Sequence, residues 1–149
     1  MLFTVASGYA LQALAHMPED GSFMMAKDLS GQLKLPPPYL AKILQRLARA
    51  EILESVRGPK GGFRLARPSH HITVGEVLVA MEGQGSLDAC IMGFPACDCD
   101  NPCPMHDAWS AVKAQVESSM TSNTLRDLQL TKMRRTHLQS PQALRRERG

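Results

Sequence analysis

The sequence has few aromatic residues and no long apolar segment. Aromatic residues make up 5% of its 149 residues, and no run approaches the length of a membrane-spanning helix. The apolar N-terminus lacks the basic leader and the cleavage site of a signal peptide. No phosphate-binding loop, catalytic acid pair or nucleophile–base set is recognisable. We therefore expect a cytoplasmic protein that is neither an enzyme nor a membrane protein.

Cysteine is also scarce, and it is confined to one stretch. All four cysteines lie between positions 90 and 103, and His106 follows the last of them by three residues. Prolines, a glycine and acidic residues separate them, which predicts a loop. In a cytoplasmic protein, such a cluster is more often a metal site or a set of redox thiols than a disulfide framework.

The net charge of +3 is mild, but the basic residues are concentrated. Residues 42–67 contain seven basic and two acidic side chains, and residues 134–149 contain five arginines and one glutamate. The rest of the chain is acidic. A basic block on an acidic body favours a nucleic-acid-binding surface, although a solvated basic face gives the same pattern.

Apolar spacing predicts helices over about 3–17, 25–33 and 37–50. The short second helix, a turn and the third helix form a helix-turn-helix. Lysine and arginine on the outer face of the third helix would hold phosphates, while Gln45 and Arg46 could contact base edges. The alternative is an ordinary surface helix. The predicted DNA-contacting residues of this helix are Tyr39, Lys42, Gln45, Arg46 and Arg49.

Two short strands are predicted at 54–57 and 63–66, joined by a glycine-rich turn at 58–62. A hairpin directly after a recognition helix is a wing, although a structural hairpin is the alternative. Its predicted DNA contacts, to phosphate or the minor groove, are Arg57, Lys60 and Arg64. A capping box at 73–76 then predicts a further helix from Val74 to about Glu82.

A single apolar stripe predicts a long helix that begins near Met105. The stripe must pack on the domain or on a second copy, and we favour a homodimer. Its residues are Trp109, Val112, Val116 and Met120. The predicted organisation is a winged-helix domain (1–83), a cysteine sensor loop (84–104), a dimerisation helix with a short terminal helix (105–133) and a disordered basic tail (134–149).

These motifs together resemble the IscR/NsrR family of bacterial iron–sulfur winged-helix regulators. The likeness is most specific in the wing, Ser55–Leu65, and extends to Leu40–Leu53 and Ile72–Val77. It implies a mainly α fold: a winged helix-turn-helix with a two-stranded wing and a long C-terminal dimerisation helix. It also implies a homodimeric repressor that binds double-stranded operator DNA.

The resemblance further implies an iron–sulfur cluster. Family members with cysteines carry three, spaced as Cys90, Cys97 and Cys103 are here, often with a histidine where His106 stands. Cys99 is a fourth cysteine that this pattern does not require. Some members add an acidic ligand near the N-terminus, where this chain has Gly8, and the first eight residues lack the basic residues often found there.

The chemistry of the loop leaves the cofactor open. Thiolates suit iron–sulfur clusters and zinc. Structural zinc sites usually use cysteine pairs two to four residues apart; Cys97-Asp98-Cys99 is tighter and Cys90 has no near partner, which favours a cluster. We predict a 2Fe–2S cluster rather than a 4Fe–4S cluster. Its predicted ligands are Cys90, Cys97, Cys103 and His106, with Cys99 as a substitute.

Other functions are compatible with the same residues. Zinc or a thiol–disulfide switch could control the same fold, and the chain could instead carry a metal or a cluster. A small redox enzyme based on Cys97-Asp98-Cys99 is the least favoured alternative.

Overall fold

The computed structural model of the chain describes residues 2–138. The described residues form six helices and one two-stranded antiparallel sheet. No helix among them has the length and hydropathy needed to cross a bilayer. The elements are α1 (Val5–Ala15), α2 (Ala26–Leu33), α3 (Pro37–Arg49), β1 (Leu53–Val56), β2 (Gly62–Leu65), α4 (Val74–Glu82), α5 (His106–Ser122) and α6 (Leu125–Leu138), with a single 3₁₀ turn at Ser69–His71 before α4.

The apolar faces of the first four helices meet in one core. Along α3, residues 40, 43, 44 and 47 are all buried, as the spacing predicted. They pack with Leu14 of α1, Leu29 of α2 and Val77 of α4, each of which is fully buried. Because α2 and α3 pack on this common core, they are held in the helix-turn-helix arrangement and the polar face of α3 remains outside.

The wing follows α3 as predicted, but each strand begins one residue earlier. Leu53 pairs with Leu65 and Val56 with Gly62. Leu53 is 2% exposed, so its burial extends the strand towards the core. The wing also pairs with Met24, which the sequence did not predict. Met24 N–H donates to Phe63 O at 2.8 Å, and Phe63 N–H donates to Met24 O at 2.9 Å.

The capping box at the start of α4 is confirmed. The Thr73 hydroxyl accepts from Glu76 N–H at 3.1 Å, and the Glu76 carboxylate accepts from Thr73 N–H at 2.8 Å. Ile72 and Val77, which flank the capping box as a hydrophobic staple, are both fully buried. The start of α4 is therefore fixed by local chemistry.

The C-terminal helices return to the winged-helix domain. Val74 N–H donates to Asn123 O and Leu125 N–H to Ile72 O, both at 2.9 Å. Leu125 is fully buried, and α6 packs on α1. The terminal helix has 14 residues, so it is longer than predicted, and it includes positions 134–138 of the stretch predicted to be disordered. The rest of that predicted tail, 139–149, lies outside the described residues.

One carboxylate ties the N-terminus to the end of α4. Thr4, which caps α1, donates to Glu82 Oε1 through its N–H at 2.7 Å and its hydroxyl at 2.8 Å. The buried hydroxyl of Ser7 donates to the same oxygen. The hydrogen bonds from Ser7 and Thr4 lower the pKa of Glu82 below its usual value, because they favour the ionised carboxylate.

We expect a Glu82→Gln variant to show less acid destabilisation than the wild type. Because the pKa of Glu82 is lowered in the folded protein, its carboxylate stabilises the fold at pH values above the unfolded pKa of 4.5. This stabilisation is lost as the pH falls through the folded pKa. At pH 7 the variant should melt about 2–5 °C lower. This difference in melting temperature should narrow as the pH falls below 4.5 and through the lowered folded pKa. Melting curves from pH 7 to pH 3 check this; a gap that is constant with pH would contradict it.

Candidate metal centre and nucleic-acid interface

The outer face of α3 is a polar, solvent-exposed ridge. Lys42, Gln45 and Arg49 lie opposite the buried apolar face and are exposed. Among the described residues, none of these three side chains has a hydrogen-bond or ion-pair partner. The ridge therefore presents hydrogen-bond donors, and phosphate oxygens and base edges can act as their acceptors.

Two other predicted contacts on α3 are engaged within the chain. Arg46 lies at the side of the ridge, and its Nε donates to Ala80 O in the last turn of α4 at 3.1 Å. Tyr39 packs edge-to-face on Tyr9 of α1, with ring centroids 6.1 Å apart. Arg46 therefore contributes to the α3–α4 packing, whatever its contact with DNA.

The wing separates its three basic residues into a tip and a base. Arg57 and Lys60 are exposed at the tip. Arg64 lies at the base, where it pairs with Glu54 across the strands at 2.7 Å and lies 4.6 Å from the centroid of the Phe23 ring. The structure thus leaves the tip residues open to a phosphate backbone, while Arg64 stabilises the hairpin.

The loop between α4 and α5 brings three of the four cysteines together. The sulfur atoms of Cys90, Cys97 and Cys103 lie within 4.8 Å of one another and are half-buried. Cys90 Sγ and Cys103 Sγ are 3.6 Å apart. Positions separated by thirteen residues thus meet at one point, as the predicted ligand set requires.

His106, the first residue of α5, lies beside Cys97 but is not within 4.8 Å of all three clustered sulfur atoms. Its Nδ1 lies 3.3 Å from Cys97 Sγ, and its Nε2 lies 3.8 Å from Cys99 Sγ. Cys99 is exposed and is not among the three clustered thiols. The ring therefore presents one nitrogen to the three-thiol group and the other to the fourth cysteine.

Hydrogen bonds from backbone N–H groups to side chains hold the loop in this shape. Asp98 Oδ1 accepts from the N–H groups of Asp100 and Asn101 at 2.9 and 2.8 Å. Cys103 N–H donates to Cys97 Sγ at 3.4 Å, a contact that stabilises a thiolate or a metal-bound sulfur. Three soft sulfur donors and an imidazole fit an anionic iron–sulfur centre or a zinc ion.

The pKa values of Cys90 and Cys97 are shifted in opposite directions. Desolvation opposes ionisation of Cys90, but the N–H groups of Phe94 and Met92 outweigh it, so its pKa falls to about 7. For Cys97, the N–H of Cys103 favours the thiolate. Desolvation and the neighbouring thiols oppose it more strongly, so the pKa of Cys97 is raised. Cys90 is therefore better prepared than Cys97 to bind a metal near neutral pH.

The loop is also fastened to α5. Trp109 Nε1 donates to Ala89 O at 3.2 Å, and Lys113 forms an ion pair with Asp88. Along α5 no residue is fully buried. The predicted dimer stripe therefore remains partly open in the single chain, and Val112 at its centre is 47% exposed.

Comparison with known proteins identifies the family. The model of the Rrf2 family, described as an iron-dependent transcriptional regulator, matches residues 3–130. The chain belongs to the Rrf2 family. The transcriptional regulator IscR of Yersinia pseudotuberculosis is 29% identical over 131 residues, which cover 86% of this chain and 79% of the relative.

Solved structures agree on the fold. T. potens IscR is 25% identical with a TM-score of 0.68, and the match covers 95% of this chain and 94% of that one. CymR, the global cysteine regulator of B. subtilis, has a TM-score of 0.72 at 22% identity, with coverage of 87% and 96%. The winged-helix fold and the resemblance to IscR predicted from the sequence are confirmed.

Membership of the Rrf2 family establishes the coarse function. The protein is a transcriptional regulator and not an enzyme, and regulators of this family bind DNA. Sequence reasoning missed two residues that connect distant elements: Met24, which pairs with the wing, and Glu82, which joins α1 to α4. Neither belongs to a recognisable motif, because both act through contacts between distant positions.

Proposed function

We propose that this Rrf2 regulator is a homodimeric repressor whose operator affinity is set by an iron–sulfur cluster in the cysteine loop. The observation that carries the proposal is the convergence of Cys90, Cys97 and Cys103 beside His106 Nδ1. The Rrf2 family is described as iron-dependent, and the relatives of this chain include IscR. Both findings favour iron over zinc as the metal. The cluster would supply sensitivity to redox change, nitric oxide, iron or cluster supply.

The ligands proposed are the three clustered cysteines and His106, a set that suits a 2Fe–2S cluster. Gly8 has no side chain to add a ligand, so a 4Fe–4S cluster would need Cys99, solvent or another group. The N-terminus of α5 lies at this point, and its partial positive charge favours an anionic centre. Fastening the loop to α5 would fix the spacing of the two recognition helices in a dimer.

The cofactor can be identified by purifying the protein without oxygen. We expect a coloured protein with visible absorption bands and equal amounts of iron and acid-labile sulfide. A colourless protein that contains one zinc ion per chain and no sulfide would overturn the iron–sulfur proposal.

Zinc is the second candidate because the thiols are closely spaced. A tetrahedral zinc ion with Zn–S bonds of about 2.3 Å places its sulfur ligands about 3.8 Å apart. Cys90 Sγ and Cys103 Sγ are 3.6 Å apart in the structure. In that case, zinc occupancy or thiol oxidation would control the same fold. The measurement of iron, sulfide and zinc in the purified protein distinguishes a zinc site from an iron–sulfur cluster.

The polar ridge of α3 is proposed to bind the operator. We expect Lys42→Ala and Arg49→Ala each to weaken binding by about 1 kcal/mol or more and to reduce the salt slope of the affinity by about one. Gln45→Ala should relax base preference instead, because an amide reads base edges. Titrations of one duplex over a range of salt concentrations test this.

A matched control for the ridge lies on α6. Arg126→Ala also removes a surface cation, but its neighbour is Glu19 at 3.8 Å, so DNA affinity should stay within about twofold of wild type. Equal effects of Lys42→Ala and Arg126→Ala would contradict the assignment of α3.

The apolar stripe of α5 is proposed to join two copies. Val112→Glu should convert the dimer to a monomer without unfolding the chain, since Val112 is 47% exposed in the single chain and a buried charge opposes association. Ala114→Glu, on the opposite face of α5, is the control. Light scattering gives the mass; a Val112→Glu dimer would contradict the proposed interface.

A further inference from the structure

The last turn of α4 is held by hydrogen-bond donors from two other elements. On one side, Thr4 and Ser7 at the start of α1 donate three hydrogen bonds to Glu82 Oε1. On the other side, Arg46 of the recognition helix α3 donates to Ala80 O at 3.1 Å. A carbonyl in the last turn of a helix has no partner within the helix, so Arg46 satisfies it.

The cysteine loop begins at this same turn. Gly83 follows Glu82 with φ of 92°, and its N–H closes the helix by donating to Val79 O. From there a short segment leads through the buried Leu87 to Cys90. The end of α4 is therefore attached to the loop through the chain and to α1 and α3 through side chains.

Electrostatics adds to these bonds. The hydrogen bonds from Ser7 and Thr4 lower the pKa of Glu82, and attraction by Arg46 lowers it further. Since Arg46 favours the charged form of Glu82, the carboxylate in turn favours the position of Arg46 at the end of α4.

We propose that Glu82 is a positioning residue that couples the cysteine loop to the recognition helix. With the loop held by its cofactor, the last turn of α4 stays on α1 and presents the Ala80 carbonyl to Arg46. With the loop released, that turn opens at Gly83, and α3 loses its anchor. This inference rests on the proposed function, because it requires two states of the loop.

The test measures DNA affinity in two states of the loop. Wild-type protein and the Glu82→Ala and Glu82→Gln variants are each loaded with iron and sulfide or stripped of metal. The readout is the ratio of their dissociation constants for one duplex selected from a random-sequence pool. We expect Glu82→Ala to move this ratio about threefold or more towards one. Glu82→Gln, which keeps an oxygen acceptor, should move it less.

A double variant tests the route through α3. If Glu82 acts through Arg46, adding Arg46→Ala to Glu82→Ala should change the ratio no further than the larger single effect. Additive effects of the two substitutions would overturn this route.

Glu76→Ala is the matched control, because Glu76 accepts comparable hydrogen bonds at the other end of α4. It should lower the melting temperature and leave the affinity ratio unchanged. A Glu82→Ala variant that melts lower but keeps the wild-type ratio would overturn the coupling alone. A wild-type ratio of one would overturn the proposed function, and the coupling with it.

Discussion

Replacing Cys97 with alanine is expected to remove nearly all of the bound cofactor. Cys97 lies close to the other two clustered thiols and to His106. Its sulfur belongs to the three-thiol group and is 3.3 Å from His106 Nδ1. Without Cys97, only Cys90 and Cys103 of the three clustered thiols remain, and Cys99 lies outside that group, so the site loses a thiolate that the structure places ready to bind. Iron and sulfide per chain should fall below about a tenth of the wild-type value.

Cys99→Ala is the control for this prediction, since it removes a thiol two residues away that lies outside the three-thiol group. It should retain wild-type iron and sulfide. Retention by Cys97→Ala with loss by Cys99→Ala would mean that the two cysteines have exchanged roles, and the ligand set would have to be rewritten.

Replacing Gly62 with alanine is expected to destabilise the wing severely. Gly62 has φ of 129°, a conformation that side chains disfavour, and an added Cβ would lie 2.5 Å from Met24 O. Relief of that overlap would break the pairing of Met24 with Phe63. We expect a loss of about 2–4 kcal/mol in the free energy of unfolding and a loss of operator binding at 37 °C, measured by urea denaturation and DNA titration.

A second glycine provides the matched control. Gly31 lies inside α2, and a Cβ there would meet nothing within 4 Å. Gly31→Ala should therefore stabilise the protein by about 0.5–1 kcal/mol, as alanine favours the helix. A Gly62→Ala variant as stable as wild type would show that the pairing of Met24 with Phe63 does not hold the wing.

The sequence predicted those parts of the molecule that local chemistry determines. Leu40 and Leu47 recur at helical spacing and are both buried, and the capping box at Thr73 marks the start of α4 where the structure has it. Periodicity also placed Lys42 and Arg49 on the outer face of α3. These features depend on residues within a few positions of one another.

The sequence could not predict the features that depend on distant contacts. Arg46 shares the polar face of α3, yet it turns towards Ala80, thirty-four residues away in sequence. Arg64 appears as a free wing cation until its pairing with Glu54 is seen. The length of α6 was underestimated because the helix has no strong apolar period of its own.

We propose above that the state of the cysteine loop sets DNA affinity. The most direct test of this proposal is to measure the dissociation constant of one duplex for a single wild-type preparation, before and after removal of its metal, at constant salt. The two values should differ by about fivefold or more. Equal values from folded protein would contradict it.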